Sequence, residues 1–268
     1  MARRTRLDAE LVRLGLARSR HHASDLIAQG RVRVRGAPAT KAATGVSPDE
    51  PLIVVPAVDG RGYVSRGGFK LAGALASFAP AGLHVEGVSA LDAGASTGGF
   101  TEVLLDAGVA AVTAVDVGYG QLAESLRQDP RVFVLDRTNV RTLRREDLPY
   151  VPDLVVADLS FISLTKVLPA FVSVASESAD LVVMVKPQFE VGKDKLGKGG
   201  VVRDPTHRVQ SVLTVAASAS DLGLGVQGVC PSVLPGPSGN VEYFVWMRRG
   251  APVIDPSYVM RVVSEGPQ

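Results

Sequence analysis

Cysteine is almost absent from the sequence, and this scarcity excludes two common ways of stabilising a chain or binding a metal. The 268 residues include one cysteine, Cys230, so neither an internal disulfide nor a cysteine-rich zinc site can form. We interpret Cys230 as a small apolar side chain in a packed strand, and we expect no bound metal.

Long hydrophobic runs are also lacking. Although 46% of the residues are hydrophobic, no uninterrupted apolar run approaches the roughly 18 residues that a membrane span needs. The N-terminus, MARRTRLDAELVRLG, is basic but contains no apolar core followed by a cleavage site. We therefore expect a cytoplasmic protein with no membrane partner. Its length leaves room for one large domain and a small one.

Positive charge is concentrated in the first 41 residues. This head contains ten Lys and Arg residues against three acids, whereas the rest of the chain contains 19 basic and 24 acidic residues. A basic head on a mildly acidic body suggests a module that binds a polyanion. Six arginines are the candidate RNA contacts: Arg4, Arg6, Arg18, Arg20, Arg31 and Arg33.

The pattern of the head predicts a small α+β unit. Ser19 is placed to cap a helix that Gly30 would end. The following run, RVRVRG at 31–36, alternates basic and apolar residues and predicts a strand whose arginines share one face. Such a surface suits the phosphates of folded RNA. His21 and His22 lie next to each other on the helix and would not face one metal ion.

The head resembles a known RNA-binding module. The stretch LVRLGLARSRHHASDLIAQGRVRVRG is similar to the domain named after ribosomal protein S-four, and the resemblance covers about residues 6–55. It implies contact with structured RNA. We assign this domain to residues 1–60 and an interdomain linker to 61–64, because the segment PAVDGRGYV at 56–64 is rich in Pro, Gly and charge.

The body, residues 65–268, shows a different pattern. Short apolar runs alternate with segments of helical length, which predicts a parallel sheet covered on both faces and a Rossmann-like α/β fold. The predicted strands are Ala90–Ala93, Val112–Val117, Val132–Leu135, Leu154–Ala157, Leu181–Val185 and the late run Val241–Trp246. The predicted helices are 99–107, 121–127, 165–175 and 206–222.

A glycine-rich turn follows the first strand of the body. In LDAGASTGGFT, glycines let the backbone approach a ligand closely. The spacing is not GxGxxG and no lysine follows, so neither a dinucleotide nor a Walker-type phosphate site is favoured. Asp92 would suit a cationic ligand, and Asp116 at the end of the next strand would accept hydrogen bonds from ribose hydroxyls. Asp136 and Asn139 follow the third strand and would meet an adenine edge.

Together these segments resemble the S-adenosylmethionine site of class I methyltransferases. The resemblance makes S-adenosylmethionine the expected cofactor. The residues expected to bind it are Asp92, Gly94, Ser96, Thr97, Gly98, Gly99, Phe100, Asp116, Asp136 and Asn139.

Lys186 is the candidate catalytic base. A lysine directly after the buried strand LVVMV is unusual, since such positions rarely hold an unpaired charge. Open α/β sheets bind ligands at this edge. Asp158 ends the preceding strand, Glu242 opens the late strand, and Lys70 follows the linker. These two lysines and two acids would form one cluster in which a lysine removes a hydroxyl proton.

Six blocks in order resemble the TlyA family, whose methyltransferase domain is similar to the heat-shock (RrmJ/FtsJ) 2′-O-ribose methyltransferases. The blocks are SRGGFKL, LDAGASTGGFTEVLL, DVGYGQL, DLSFIS, VKPQFE and LPGPSGNVEYF. The resemblance implies catalysis by Lys70, Asp158, Lys186 and Glu242. It also implies methylation of cytidine riboses in 16S and 23S ribosomal RNA of ribosomal subunits, and capreomycin sensitivity. The family's Arg-x-Trp-x linker falls on residues 61–64, where Tyr63 replaces Trp.

Three alternatives remain open at this point. A base N-methyltransferase would carry prolines after the fourth strand, where this chain has Asp158-Leu159-Ser160-Phe161. A non-catalytic ribosome-assembly factor would bind RNA only, and a haemolysin-type toxin is disfavoured by the missing signal and apolar span.

The glycine- and lysine-rich loop at 192–200 is expected to contact RNA phosphates. We expect a monomer.

Overall fold

The computed structural model describes residues 4–28, 30–47, 50–54 and 62–267. The chain divides into two compact units, Met1–Arg66 and Gly67–Gln268. Of the predicted linker at 61–64, residues 62–64 lie at the end of the first unit and Arg61 lies outside the described residues.

The first unit is a small α+β domain. Leu7, Leu11, Leu26 and Val32 lie in its apolar core. The elements are β1 (Thr5–Arg6), α1 (Leu7–Arg13), α2 (Arg20–Ala28), β2 (Val32–Val34), β3 (Ala37–Pro38), β4 (Gly45–Val46) and β5 (Leu52–Val54). The strands form two small antiparallel sheets, one of two strands (β1-β4) and one of three strands (β3-β2-β5).

The predicted signals of the second helix are confirmed, and those of the strand are confirmed in part. The Ser19 hydroxyl accepts a hydrogen bond from the His22 N–H at 3.1 Å, and Gly30 ends the helix at a φ of 69°. The strand is shorter than predicted: it ends at Val34, and Arg35 adopts a φ of 52° in a turn, where its guanidinium pairs with Glu50. The prediction that all its arginines share one face is therefore wrong.

Two of the predicted RNA-binding arginines are engaged within the first unit. Arg6 and Arg20 both pair with the buried carboxylate of Asp8, each at 3.0 Å. The hydrogen bond from Arg6 has the largest effect on the pKa of Asp8, and the bond from Arg20 adds to it. Together they lower this pKa to about 2, although burial alone would raise it. Both arginines still expose more than half of their side chains, so a role in RNA binding stays a prediction.

The second unit contains a seven-stranded sheet with helices. Its helices are α3 (Arg66–Phe78), α4 (Gly99–Asp106), α5 (Glu124–Arg127), α6 (Leu168–Val174), α7 (Pro187–Glu190), α8 (Pro205–Ser220) and α9 (Pro256–Glu265). Its strands are β6 (Ser89–Ala93), β7 (Ala111–Val115), β8 (Val132–Leu135), β9 (Leu154–Ala157), β10 (Asp180–Val185), β11 (Leu224–Pro231) and β12 (Tyr243–Arg249).

The sheet has the order β11-β12-β10-β9-β6-β7-β8. Strands β6 to β10 run parallel, and β12 runs antiparallel to β10 and β11. The predicted α/β class with a mainly parallel sheet is confirmed. Strand β11 and helices α3, α7 and α9 were not predicted, and the helix predicted at 121–127 begins only at Glu124.

Strand β12 shows how both faces of the sheet are covered. Tyr243, Val245 and Met247 pack into the same core as residues of α6, α8 and α9. The alternate residues Phe244 and Trp246 contact Phe100 of α4 and Phe78 of α3, with ring centroids 6.0 and 5.7 Å apart. Helices therefore cover both faces of this strand. Because side chains alternate between the two faces, nearly all residues of the strand are apolar.

Register places three chemically active side chains at one edge of the sheet. Ala157 pairs with Val183 across β9 and β10, and Val185 pairs with Tyr243 across β10 and β12. Asp158, Lys186 and Glu242 therefore lie together at the edge where the parallel strands end, each next to one of three neighbouring strands.

Within the described residues, we find no helix with the length and apolarity that a bilayer crossing requires.

Candidate active site

Lys186 follows β10 and is almost fully enclosed. Its side chain is buried, with 8% of the residue exposed. The Nζ atom pairs with Asp158 Oδ1 at 2.5 Å and donates a hydrogen bond to Ser160 Oγ at 3.0 Å. Pro187 begins α7 directly after it, which fixes the backbone on its far side. The amine is thus held at the sheet edge and does not extend into bulk solvent.

A second ion pair lies beside the first. Lys70 of α3 donates to Glu242 Oε2 at 2.5 Å, and both residues are buried, at 5% and 1% exposure. The turn before Glu242 closes against it: a Cβ on Gly236 would lie 2.5 Å from Glu242 Oε1. Glycine is therefore needed at position 236 for the backbone to pass this carboxylate. The four residues predicted to carry catalysis form two adjacent, opposite-charge pairs.

The glycine turn after β6 lies against the same edge. Gly94 has a φ of 86°, and a Cβ there would lie 2.6 Å from the backbone oxygen of Asp158. The turn is thus in contact with the segment that holds Lys186. Ser96, the next residue but one, is exposed and adopts a φ of 48°. No residue of the turn 94–99 is charged, which suits a cationic ligand such as a sulfonium.

Asp116 at the end of β7 is positioned by two backbone groups. Its Oδ2 accepts from the Ser96 N–H at 2.9 Å, and its Oδ1 accepts from the Gly118 N–H at 2.7 Å. The carboxylate is half-buried. Each carboxylate oxygen has a further lone pair, so this geometry leaves acceptor capacity for the hydroxyls of a ribose. These acceptor oxygens fit the ribose of the nucleoside half of S-adenosylmethionine.

Two residues predicted to bind the cofactor are placed in the core instead. Phe100 is buried and packs on Phe244, because it lies on the face of α4 that turns toward the sheet. Asp92 is fully buried, and its Oδ2 accepts from the Thr101 hydroxyl at 2.6 Å. Both side chains are buried, and direct contact with the cofactor stays a prediction for each. Their role here is to seat α4 behind the glycine turn.

The remaining predicted cofactor residues lie at or near the edge. Gly98 and Gly99 form the buried start of α4, whereas Thr97 is half-buried. Asp136 Oδ2 accepts from the Gly120 N–H and pairs with Arg127 at 3.1 Å. Asn139 is exposed, and its side-chain oxygen accepts from the Arg141 N–H. Asn139 thus caps a 3₁₀ turn, and contact with adenine stays a prediction.

Asp92 gives a pH-dependent prediction. Burial raises its pKa to about 7; the Thr101 hydroxyl opposes the shift, and the nearby charge of Asp158 adds to it. A raised pKa means that the folded state favours the neutral acid, so stability is greatest below the ordinary value of 3.8 and declines as pH rises through about 7. Asp92→Asn should therefore gain more thermal stability over the parent protein at pH 8.5 than at pH 5, where only part of this loss has occurred. Melting curves at both pH values test this, and an equal difference at the two would contradict it.

An exposed aromatic side chain next to Ser160, the hydrogen-bond partner of Lys186, was not among the predicted site residues. Phe161 follows Ser160, has a φ of 64° and is 91% exposed. Tyr119 is also exposed, and the Arg137 guanidinium lies 4.3 Å from its ring centroid. Ser96, Arg137 and Phe161 are the non-glycine residues of positive φ among the described part of the second unit. Such backbone strain gathers at functional sites, but a sequence does not reveal it.

The glycine- and lysine-rich loop is anchored at one end. Asn240 is buried; its amide donates to the Gly200 oxygen at 3.0 Å, and its oxygen accepts from the Val202 N–H at 2.8 Å. Lys195 and Lys198 are exposed. Because Asn240 lies two residues before Glu242, the loop is tied to the same edge of the sheet.

The first unit holds a separate basic cavity of about 380 Å³. Arg18, Arg31, His22 and Tyr63 line it, together with apolar residues. Burial and the charges of Arg18 and Arg31 lower the pKa of His22. Two predicted RNA-binding arginines are therefore brought together with the tyrosine of the predicted linker.

Fold and site together define a class I methyltransferase-type α/β enzyme. One unit contains this strand order, one antiparallel strand next to the parallel set, the uncharged glycine turn and the acid Asp116 directly after β7. Residues 63–249 match the family described as FtsJ-like methyltransferase, and residues 5–52 match the S4 domain.

Full-length relatives make the identification narrower. The "16S/23S rRNA (cytidine-2′-O)-methyltransferase TlyA" of Mycobacterium tuberculosis is 59% identical over 273 residues, covering 100% of both chains. The "Putative rRNA methyltransferase YqxC" of Bacillus subtilis is 37% identical, covering 98% of this chain and 94% of that protein. A solved structure described as a putative hemolysin from Streptococcus thermophilus superposes with a TM-score of 0.78 at 35% identity, covering 99% and 96%. The chain belongs to the TlyA family of FtsJ-like methyltransferases.

Proposed function

We propose that this methyltransferase transfers a methyl group from S-adenosylmethionine to the ribose 2′-hydroxyl of cytidines in 16S and 23S ribosomal RNA. The observation that carries the proposal is the enclosed amine of Lys186. It lies 2.5 Å from Asp158 and 3.0 Å from Ser160, at the edge that the glycine turn also reaches.

Lys186 is the group that takes the hydroxyl proton. A ribose hydroxyl is a poor nucleophile until it loses its proton, so a base must be within hydrogen-bonding reach of it. Asp158 and Ser160 fix two directions around Nζ and leave the third for the substrate oxygen. The Lys70–Glu242 pair lies next to it and places a second cation and a second acid beside the reaction.

The residues that would hold the methyl donor lie at the same edge of the sheet, after β6 and β7. When bound, S-adenosylmethionine supplies an electrophilic methyl group on its sulfonium. Asp116 would hold its ribose, and the uncharged glycine turn would face its cationic end without repulsion. Asp92 would act from behind the turn, through Thr101 and α4.

The choice of substrate rests on the first unit and on the relatives. The S4 match and the basic head suit folded RNA, and the relative at 59% identity is named for cytidine 2′-O-methylation of 16S and 23S rRNA. We extend that substrate to this chain, along with capreomycin sensitivity as its consequence. An enzyme acting on ribosomal subunits would work in the cytoplasm.

Methyl mapping tests the proposal. Labelled S-adenosylmethionine is incubated with the protein and unmodified small or large subunits, and the label is mapped to a nucleotide and then to sugar or base. Label on a cytidine ribose of each subunit is expected. Label on a base nitrogen would identify the N-methyltransferase alternative, and no label would favour a binding factor.

The basic loop gives a further expected result. Replacing Lys193, Lys195 and Lys198 by Ala should weaken binding to subunits about 10-fold or more and reduce its salt dependence, because each lysine lost removes one potential phosphate contact. Filter binding at two salt concentrations measures this. S-adenosylmethionine affinity is the internal control and should not change. Unaltered RNA affinity would remove the loop from the RNA interface.

A further inference from the structure

The segment 158–164 crosses the sheet edge in a strained conformation. Phe161 has a φ of 64° although it is not glycine, and its ring is 91% exposed. A bulky residue persists in this region of backbone space only when its surroundings hold it there. Neighbouring contacts must therefore maintain the segment.

Helix α7 supplies those contacts. The Glu190 carboxylate accepts from the Ser163 hydroxyl at 2.5 Å and from the Leu164 N–H at 2.9 Å. The Phe189 ring packs on Phe161 with centroids 5.2 Å apart. Burial raises the pKa of Glu190, and its bonds to Ser163 and Leu164 oppose that shift. A partly buried acid that accepts from two donors on one segment acts as a clamp on it.

The same two segments are also joined at their other ends. Lys186, the residue before α7, contacts Asp158 and Ser160. Segment 158–164 is thus bonded to segment 186–190 near both of its ends, with Phe161 between them. Releasing the Glu190 end would let Ser160 and Phe161 shift relative to the Lys186 amine.

We propose that Glu190 is a positioning residue for methyl transfer: it fixes segment 158–164 so that Ser160 and Phe161 are held beside Lys186 and the substrate nucleotide. Glu190 contacts neither substrate nor methyl donor; it acts through Ser163 and Leu164. The inference rests on the proposed function, because it takes Lys186 as the base.

Two substitutions in the full-length protein test it. Glu190→Ala removes both acceptors, whereas Glu190→Gln keeps an oxygen for the Leu164 N–H and an amide that can donate to Ser163 Oγ. Displacement of about 1 Å at a reacting group can cost about 100-fold in rate. We expect a single-turnover rate about 10- to 100-fold lower for Glu190→Ala, within about 3-fold of the parent for Glu190→Gln, and unchanged S-adenosylmethionine affinity for both.

Asp180→Ala is the matched control for lost stability. Asp180 is an acid at the opposite end of β10, where it accepts from Trp246 Nε1 at 2.6 Å and lies 3.6 Å from Arg248. It should unfold at lower temperature with an unchanged rate per folded molecule. The pH–rate profile should move in Glu190→Ala alone, because only there would Ser160, which accepts a hydrogen bond from Lys186, no longer be held in place.

Three results would overturn the inference. These are a parent-like rate and profile in Glu190→Ala, a rate loss no greater than that of Asp180→Ala, or a Glu190→Gln rate as low as that of Glu190→Ala. Failure of the proposed function is read separately, from the parent protein, as label on a base or no label at all. The comparison of variants still reports on the clamp when the label is on a base.

Discussion

Replacing Lys186 by Ala should lower the rate of methyl transfer by about 10³-fold and leave RNA binding intact. Positioned acid–base groups typically contribute 10² to 10⁴ in rate, and Lys186 is the enclosed amine that we place beside the hydroxyl. Its contacts with Asp158 and Ser160 lie at the sheet edge of the second unit, so the RNA-binding residues of the first unit should be unaffected. Single-turnover assays with subunits, paired with filter binding, measure both quantities.

Lys186→Arg is the control that separates charge from proton transfer. A guanidinium can still pair with Asp158, but it remains protonated and cannot accept a proton. We expect it to be as slow as the alanine variant. Parent-like activity in Lys186→Arg would show that only a positive charge is needed at position 186. Loss of RNA binding along with activity would instead indicate a misfolded protein or a binding factor.

The Lys70–Glu242 pair should show the largest effect on stability. Glu242→Ala leaves the Lys70 ammonium buried without its partner, and breaking a buried ion pair from one side typically costs ~3–5 kcal/mol. Both residues are at most 5% exposed, so solvent cannot replace the lost contact. Urea unfolding of Glu242→Ala and Lys70→Met should each show a loss of this order.

The double variant Lys70→Met/Glu242→Leu distinguishes a structural pair from a catalytic one. Replacing both charges by apolar groups of similar size is often neutral for stability, so we expect the double variant to recover most of the lost free energy of unfolding. Activity should not recover with it, because the second cation and acid beside Lys186 are gone. A double variant that regains both stability and methyl transfer would assign this pair to folding alone.

The sequence was sufficient to predict which strands carry the chemistry. Asp158 and Lys186 each follow a run of buried apolar residues, and parallel strands end at a common edge, so the pattern itself brings them together. Lys70 is different. It lies on α3, which no periodicity indicated. The sequence placed it in one cluster with Glu242, but did not indicate that these two residues, 172 positions apart, form a direct ion pair.

Orientation and pairing were the features that the sequence could not supply. Phe100 lies in the glycine-rich block, but the rotation of α4 turns it toward Phe244. Asp92 has the expected position at a strand end, yet it is buried behind the turn. Arg6 and Arg20 were predicted from charge alone, which does not reveal that both surround Asp8. Strand β11 contains two glycines and a terminal proline, which weaken its strand signal.

The role of Lys186 as the base is tested most directly by a structure of the protein with a substrate RNA fragment and a non-reactive analogue of S-adenosylmethionine. We expect Lys186 Nζ to lie about 3 Å from a ribose 2′-oxygen, as proton transfer requires. We also expect this oxygen to face the sulfur atom of the analogue. A ribose oxygen far from Nζ, with a base nitrogen or another side chain in that place, would contradict this role.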